Sequence, residues 1–166
     1  MVNVLIKWLI FLHVLSALTF FLAHGTSAAM AFKVRRETDF SRIRAMLDLS
    51  DSTVEIMFLS FLGLVLTGLA LPFFIHIWNK GWVWLSIVLM VFVFIWMVRM
   101  NERSYKDLRK LVGLPYRRGS KEYPAEVPAG TEEVVTLLKQ IKIINLVVVG
   151  YIIPAFVLWL MIFKPF

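Results

Sequence analysis

Four stretches of the chain are almost unbroken in apolar side chains: residues 4–32, 54–78, 82–98 and 143–163. At about 1.5 Å of rise per helical residue, each reaches across a hydrocarbon core of about 30 Å, the third only just. Shorter segments show a helical period with one polar side. Over residues 39–49, Phe40, Ile43 and Leu47 fall on one face while Arg42, Arg44 and Asp48 fall away from it. That pattern predicts an amphipathic helix lying on a membrane surface. Tyr105, Leu108, Leu111 and Val112 keep the same period among Arg103, Lys106, Arg109 and Lys110, and predict a second surface-lying stretch.

Local signals place the joints. Ser52-Thr53-Val54-Glu55 has the form of a capping box opening the second span, which gives Glu55 a capping role in the first turn. Pro72 and the pair Trp78/Trp82 mark the far end of that span, and Asn79-Lys80-Gly81 predicts a tight turn into an antiparallel third span. Residues 113–130, with Pro115, Pro124 and Pro128, read as an irregular loop. Thr131, followed by Glu132 and Glu133, opens a last helix that starts outside the membrane and continues into it. Pro154 should kink that helix by excluding a hydrogen bond to Gly150. Along the second span Ser60, Gly63, Thr67 and Ala70 make a seam of small residues, the surface membrane helices use for close approach. Helix one is its expected partner.

Charge turns this layout into a topology. Lys33, Arg35, Arg36, Arg42 and Arg44 lie in residues 33–53; Arg99, Arg103, Lys106, Arg109, Lys110, Arg117, Arg118, Lys121, Lys139 and Lys142 lie in residues 99–142. Only Lys7, Lys80 and Lys164 of the 18 basic residues fall elsewhere. The positive-inside rule then makes both long loops cytoplasmic and both termini external. The expected fold class is an all-α membrane protein. It is a four-transmembrane-helix bundle, N-out and C-out, with short amphipathic cytoplasmic helices, forming one domain over residues 1–166.

Composition agrees. A chain of 166 residues that is 60% hydrophobic, with mean hydropathy +0.78, has more apolar surface than a soluble domain of that size can hide. The net charge of +7 sits beside the spans, where it meets anionic headgroups and not nucleic acid. With 0 cysteines there is no disulfide, thiolate metal site or cysteine nucleophile. Ala29-Met30-Ala31 has a small-x-small form, but the basic cluster follows it and only Lys7 precedes it, the charge order of a retained N-out anchor.

The chemistry open to the chain rests on three histidines. His13 and His24 are eleven residues apart. That is about three whole helical turns and about 16 Å, so they leave one face, shared with Ala17, Phe20 and Ala28. A polar face on an apolar helix points into the bundle. Alignment of Phe32 with Val54 puts His13 and His76 within about 5 Å in depth, and His24 beside Leu62 and Gly63. Two readings stay open. The rings are neutral packing groups hydrogen-bonded between helices. Or His13 and His76, with His24, bind haem b or copper, His13 and His76 being the metal ligands. No serine–histidine–carboxylate set, H-E-x-x-H motif, phosphate loop or intramembrane carboxylate pair is present, so no catalytic residue is assigned. Gly150, Asn145 and Tyr151 read as packing groups of helix four.

The run Leu12-His13-Val14-Leu15-Ser16-Ala17, with His24-Gly25 further on, resembles the bacterial predicted-integral-membrane families related to the copper-resistance D membrane proteins. Thr19-Phe20-Phe21 stand where a tryptophan and glycine pair commonly follows the histidine in those families. The resemblance covers the first helix and the general layout. It implies a core of four or more helices, marks His13, and implies no enzyme activity. The expectation is a multi-pass protein of the bacterial inner membrane, non-catalytic, serving as an accessory or scaffolding subunit of a larger assembly. Its partners would be other membrane proteins and anionic headgroups. The alternative is a small haem b- or copper-binding protein.

Overall fold

The computed structural model describes residues 2–100, 105–119, 121–141 and 143–166. Its helices are α1 (Val2–Val34), α2 (Phe40–Ser52), α3 (Val54–Phe74), α4 (Gly81–Met100), α5 (Lys106–Leu111), α6 (Thr131–Gln140), α7 (Ile143–Val147) and α8 (Ile153–Phe163). A π-helical turn, Val148–Ile152, joins the last two. Strands β1 (Tyr116–Arg118) and β2 (Lys121–Tyr123) form an antiparallel hairpin. Four helical runs, Asn3–Val34, Phe40–Phe74, Gly81–Arg99 and Ile144–Phe163, are long and apolar enough to span a membrane. The chain is mostly helical, and these four runs are what a multi-pass membrane protein would need.

Two helix pairs build the bundle, and side-chain size decides how close each pair comes. α1 lies antiparallel along α3. Gly63 faces Ser16 so closely that a β-carbon would sit 2.7 Å from the serine Oγ. Ser60 and Thr67 are buried in the same contact. The small-residue seam therefore packs against helix one, as its spacing implies. α4 lies against α8 through Trp82, Val83 and Leu160. Between the pairs the spacers are large: Phe61 stacks on Phe94 with centroids 4.4 Å apart, and Leu64 meets Met90 and Val157. Phe166 lies against Gly81, so α8 ends beside the α3–α4 connection.

At the other end, a small cap has its own core. Ile43, Met46 and Leu47 of α2 bury against Val34, Leu108, Val112, Val134 and Leu138. The amphipathic stretches exist where the period puts them, but their apolar faces cover one another and not a lipid surface. Each buried aliphatic side chain contributes roughly 1.5–3 kcal/mol, and three short helices pooling their faces bury more than any could alone. Polar contacts close the cap: Arg44 Nε donates to the Val112 carbonyl at 2.6 Å, and Ala129 N–H to the Leu111 carbonyl at 2.9 Å.

Four expectations are corrected. The Ser52–Glu55 capping box does not form. Thr53 is itself helical and caps nothing with its side chain, so α2 runs almost directly into α3. The Ser52 and Thr53 hydroxyls donate back to the Leu49 and Ser50 carbonyls instead. The last helix is broken at Ile141, which is extended, and again loosened by the π turn before Pro154. Proline has no N–H for the Gly150 carbonyl, and the wider turn spares its ring a clash. Ile153 N–H bonds back to Val148 accordingly. The proline-rich loop holds the β-hairpin, so the fold is not purely α. Its turn uses Gly119 at φ 58, and Tyr116 stacks on Tyr123 at 5.1 Å. α3 ends at Phe74, earlier than its apolar run. Arg103 and Lys142 lie outside the described residues.

Candidate functional site

His13 is held inside the α1–α3 contact. Its Nδ1 is 2.9 Å from the Thr67 hydroxyl, which sits 2.7 Å from the Gly63 carbonyl. With the hydroxyl proton directed to that carbonyl, the imidazole donates from Nδ1 and Nε2 is left unprotonated. Gly68 makes room for the ring: a β-carbon there would lie 3.2 Å from His13 Cε1. Glycine at 68 was not part of the seam read from sequence. Its spacing to Gly63 breaks the 3–4 alternation that revealed the others.

His76 is elsewhere. It is exposed, follows the end of α3, and takes the left-handed conformation at φ 54. Thr67, the partner of His13, precedes it by nine residues, about 13 Å along a helix. The expected His13–His76 pair therefore does not form. The error lies in the alignment of Phe32 with Val54. Ser27, not Phe32, meets the start of α3, its Oγ 2.8 Å from Thr53 Oγ1. The last turns of α1 run past α3 to put Val34 into the cap core.

His24 is 2% exposed and faces the fourth span. Its ring is stacked over Phe20 at 6.0 Å and lies 5.4 Å from Tyr151. Gly150 supplies the notch, since a β-carbon would fall 2.6 Å from His24 Nε2. The glycine that seats this histidine is thus Gly150 and not Gly63. Among the described residues Nε2 has no hydrogen-bond partner. Among the described residues no three histidine, aspartate or glutamate side chains form a metal-sized group.

Two cavities adjoin this region. An apolar one of about 160 Å³ lies between α1, α3 and α4, lined by Phe20, His24, Phe58, Phe61, Phe94 and Met97 among others. It exists because the aromatic spacers hold α4 off α3. A larger polar one of about 620 Å³ lies under the hairpin, with Asp51, Glu55, Lys106, Arg109, Arg117 and Glu122 in its walls. Ser50, Val54 and Tyr105 line both. Burial pushes the Tyr105 hydroxyl up to about 12, so it is a neutral donor at neutral pH. Burial, then the Arg117 charge, lowers the Lys106 ammonium from its ordinary value.

Arg109 is the most enclosed cation there. Its Nε donates to the Pro115 carbonyl at 3.0 Å, and its guanidinium pairs with Asp48 at 2.9 Å. Nη1 is buried without a hydrogen bond, 3.9 Å from the nearer Asp51 oxygen. From sequence, Arg109 read only as one more surface charge, and its pairing across α2 depends on the cap fold. The polar cavity thus has cations and carboxylates in its walls and the neighbouring one is mainly apolar.

Comparison of the chain with protein-family models, with curated proteins and with solved structures found no match.

Proposed function

We propose that the protein is a non-catalytic subunit of a larger assembly in a bacterial inner membrane, acting as an accessory or scaffold. The cap faces the cytoplasm and both termini face out. The observation that carries this reading is the use of the intramembrane polar groups. His13 is committed to Thr67 and wedged against Gly68, and His24 is seated on Gly150. Groups spent on holding helices in register are not free to do chemistry. The cap end carries nearly all the basic residues and offers anionic headgroups and partner proteins a broad polar face.

The test combines a spectrum with a measure of size. Purified protein is expected to show no Soret band and no stoichiometric copper. In mild-detergent extracts of native membranes it should migrate above its monomer mass. Haem b or copper bound one-to-one, and lost on His13→Ala, would overturn the reading in favour of a cofactor protein that uses His13. A monomer in native extracts would also overturn it.

A further inference from the structure

Many cations of the cap are neutralised within it. Arg42, Arg109, Lys110, Arg117 and Arg118 each pair with a carboxylate. Lys33, Arg35 and Arg36 differ: they are exposed at the end of α1 and, among the described residues, pair with none. Glu37, the next carboxylate along the chain, is engaged elsewhere. It accepts from the Thr38 and Asp39 N–H groups at 3.0 and 3.2 Å and faces Arg42 at 3.7 Å. We propose that the end of α1 is a site for an anionic phospholipid, with its phosphate held by Lys33 and Arg36 and its acyl chains laid along Leu22 and Leu18.

Helical angle carries the assignment. At about 100° per residue, Leu18, Leu22 and Lys33 fall within about 60° of one another around α1. That face is roughly opposite the one that buries Phe20, His24 and Ala28. Arg36 extends it through the turn after α1, its N–H bonded to the Lys33 carbonyl at 3.1 Å. Leu18 and Leu22 are 59% and 74% exposed, so a bare apolar stripe ends in two unpaired cations. An anionic head on a hydrocarbon tail matches both parts, whereas an acidic protein segment matches only the cations. From Lys33 to Leu22 is about 16 Å along the helix, close to half of a hydrocarbon core of about 30 Å, the length of one acyl chain. Each cation beside an anionic surface strengthens the attraction about fivefold. The site rests on the headgroup contact in the reading above, and not on its orientation or its partner proteins.

The full chain has 0 cysteines, so it can carry a single thiol-linked fluorophore at Leu22→Cys or, as a control, at Leu59→Cys. The Ser27–Thr53 contact sets the two at matching depth, and Leu59 is 70% exposed on α3. The chain is placed in phosphatidylcholine nanodiscs with a small fraction of phosphatidylglycerol brominated in its acyl chains. Both faces of a nanodisc present the same lipid, so an inverted orientation cannot imitate a failure of the site. Quenching at Leu22 should correspond to a local enrichment of the brominated lipid of at least about fivefold, while Leu59 reports the bulk fraction. Brominated phosphatidylcholine should quench both alike. Lys33→Gln with Arg36→Gln should return Leu22 to the bulk value, and high salt should do the same to the chain that keeps both cations. The salt measurement does not depend on how the double variant folds. Equal quenching at Leu22 and Leu59 would overturn the lipid site and leave the cations to an acidic partner protein. Enrichment that survives the glutamines or the salt would overturn the role of Lys33 and Arg36. Its loss on adding soluble glycerol phosphate at constant ionic strength would mean a free phosphate ligand and overturn the lipid.

Discussion

At the scale of single residues, the bundle is organised by glycines meeting histidines. Gly150 and Gly25 make a controlled comparison. A β-carbon at Gly150 would meet the buried His24 ring at 2.6 Å, and the ring is held by Phe20 on its other side. Gly150→Ala should therefore destabilise the protein by about 1–3 kcal/mol, the usual cost of overpacking. A β-carbon at Gly25 would meet nothing within 4 Å. Gly25→Ala should leave stability unchanged or raise it, because alanine favours the helix by about 0.5–1 kcal/mol. Thermal unfolding of both variants in the same detergent checks the contrast. If the two behave alike, the His24 notch is not the contact drawn above. That His13 and His24 share an inward face was legible in the sequence, since helical angle alone decides it. Which glycine receives each ring was not legible, because that depends on how far α1 slides past α3, and no local signal sets that register.

Elements show the same division between what period determines and what tertiary contact determines. The four long helices, the amphipathic α2 and the small-residue seam all follow from hydrophobic spacing. The capping box failed because α2 continues into α3, so its hydroxyls found carbonyls of the preceding turn. The hairpin was missed because strands of three residues carry no period to read, and only Gly119 and the tyrosine pair mark it. Two substitutions test the contacts that replaced those expectations. Gly63→Ala should destabilise through Ser16, and adding Ser16→Gly should restore most of the loss. The coupling energy in that double-mutant cycle should be about 0.5–3 kcal/mol, as for residues in direct contact. Leu108 is 0% exposed in the cap core, and Leu108→Ala should cost about 2–5 kcal/mol. Proteolysis should then begin in the hairpin and α6 while the spans stay protected. Cleavage spread evenly through the spans would mean that cap and bundle do not unfold separately.

For the whole molecule, the strongest consequence of the sequence is the one-sided distribution of basic residues. The fold sharpens it. Lys80 and Lys164 lie at the end where α3 turns into α4 and α8 stops, whereas the basic loops gather at the cap. Several cap cations are ion-paired, among them Arg109 with Asp48 and Arg118 with Asp107. Pairing lowers the net charge of the cap, yet membrane orientation follows lysine and arginine themselves, and carboxylates contribute little to it. The cap should therefore stay in the cytoplasm although its surface is partly neutralised. Because the chain has 0 cysteines, one introduced thiol reports without interference. Cysteine at Ser41, exposed on α2, should resist a membrane-impermeant thiol reagent in intact cells and react once the membrane is opened. Cysteine at Asn79, exposed in the α3–α4 turn, should react in intact cells. The opposite pattern would put the cap outside and remove the cytoplasmic face on which the accessory reading relies.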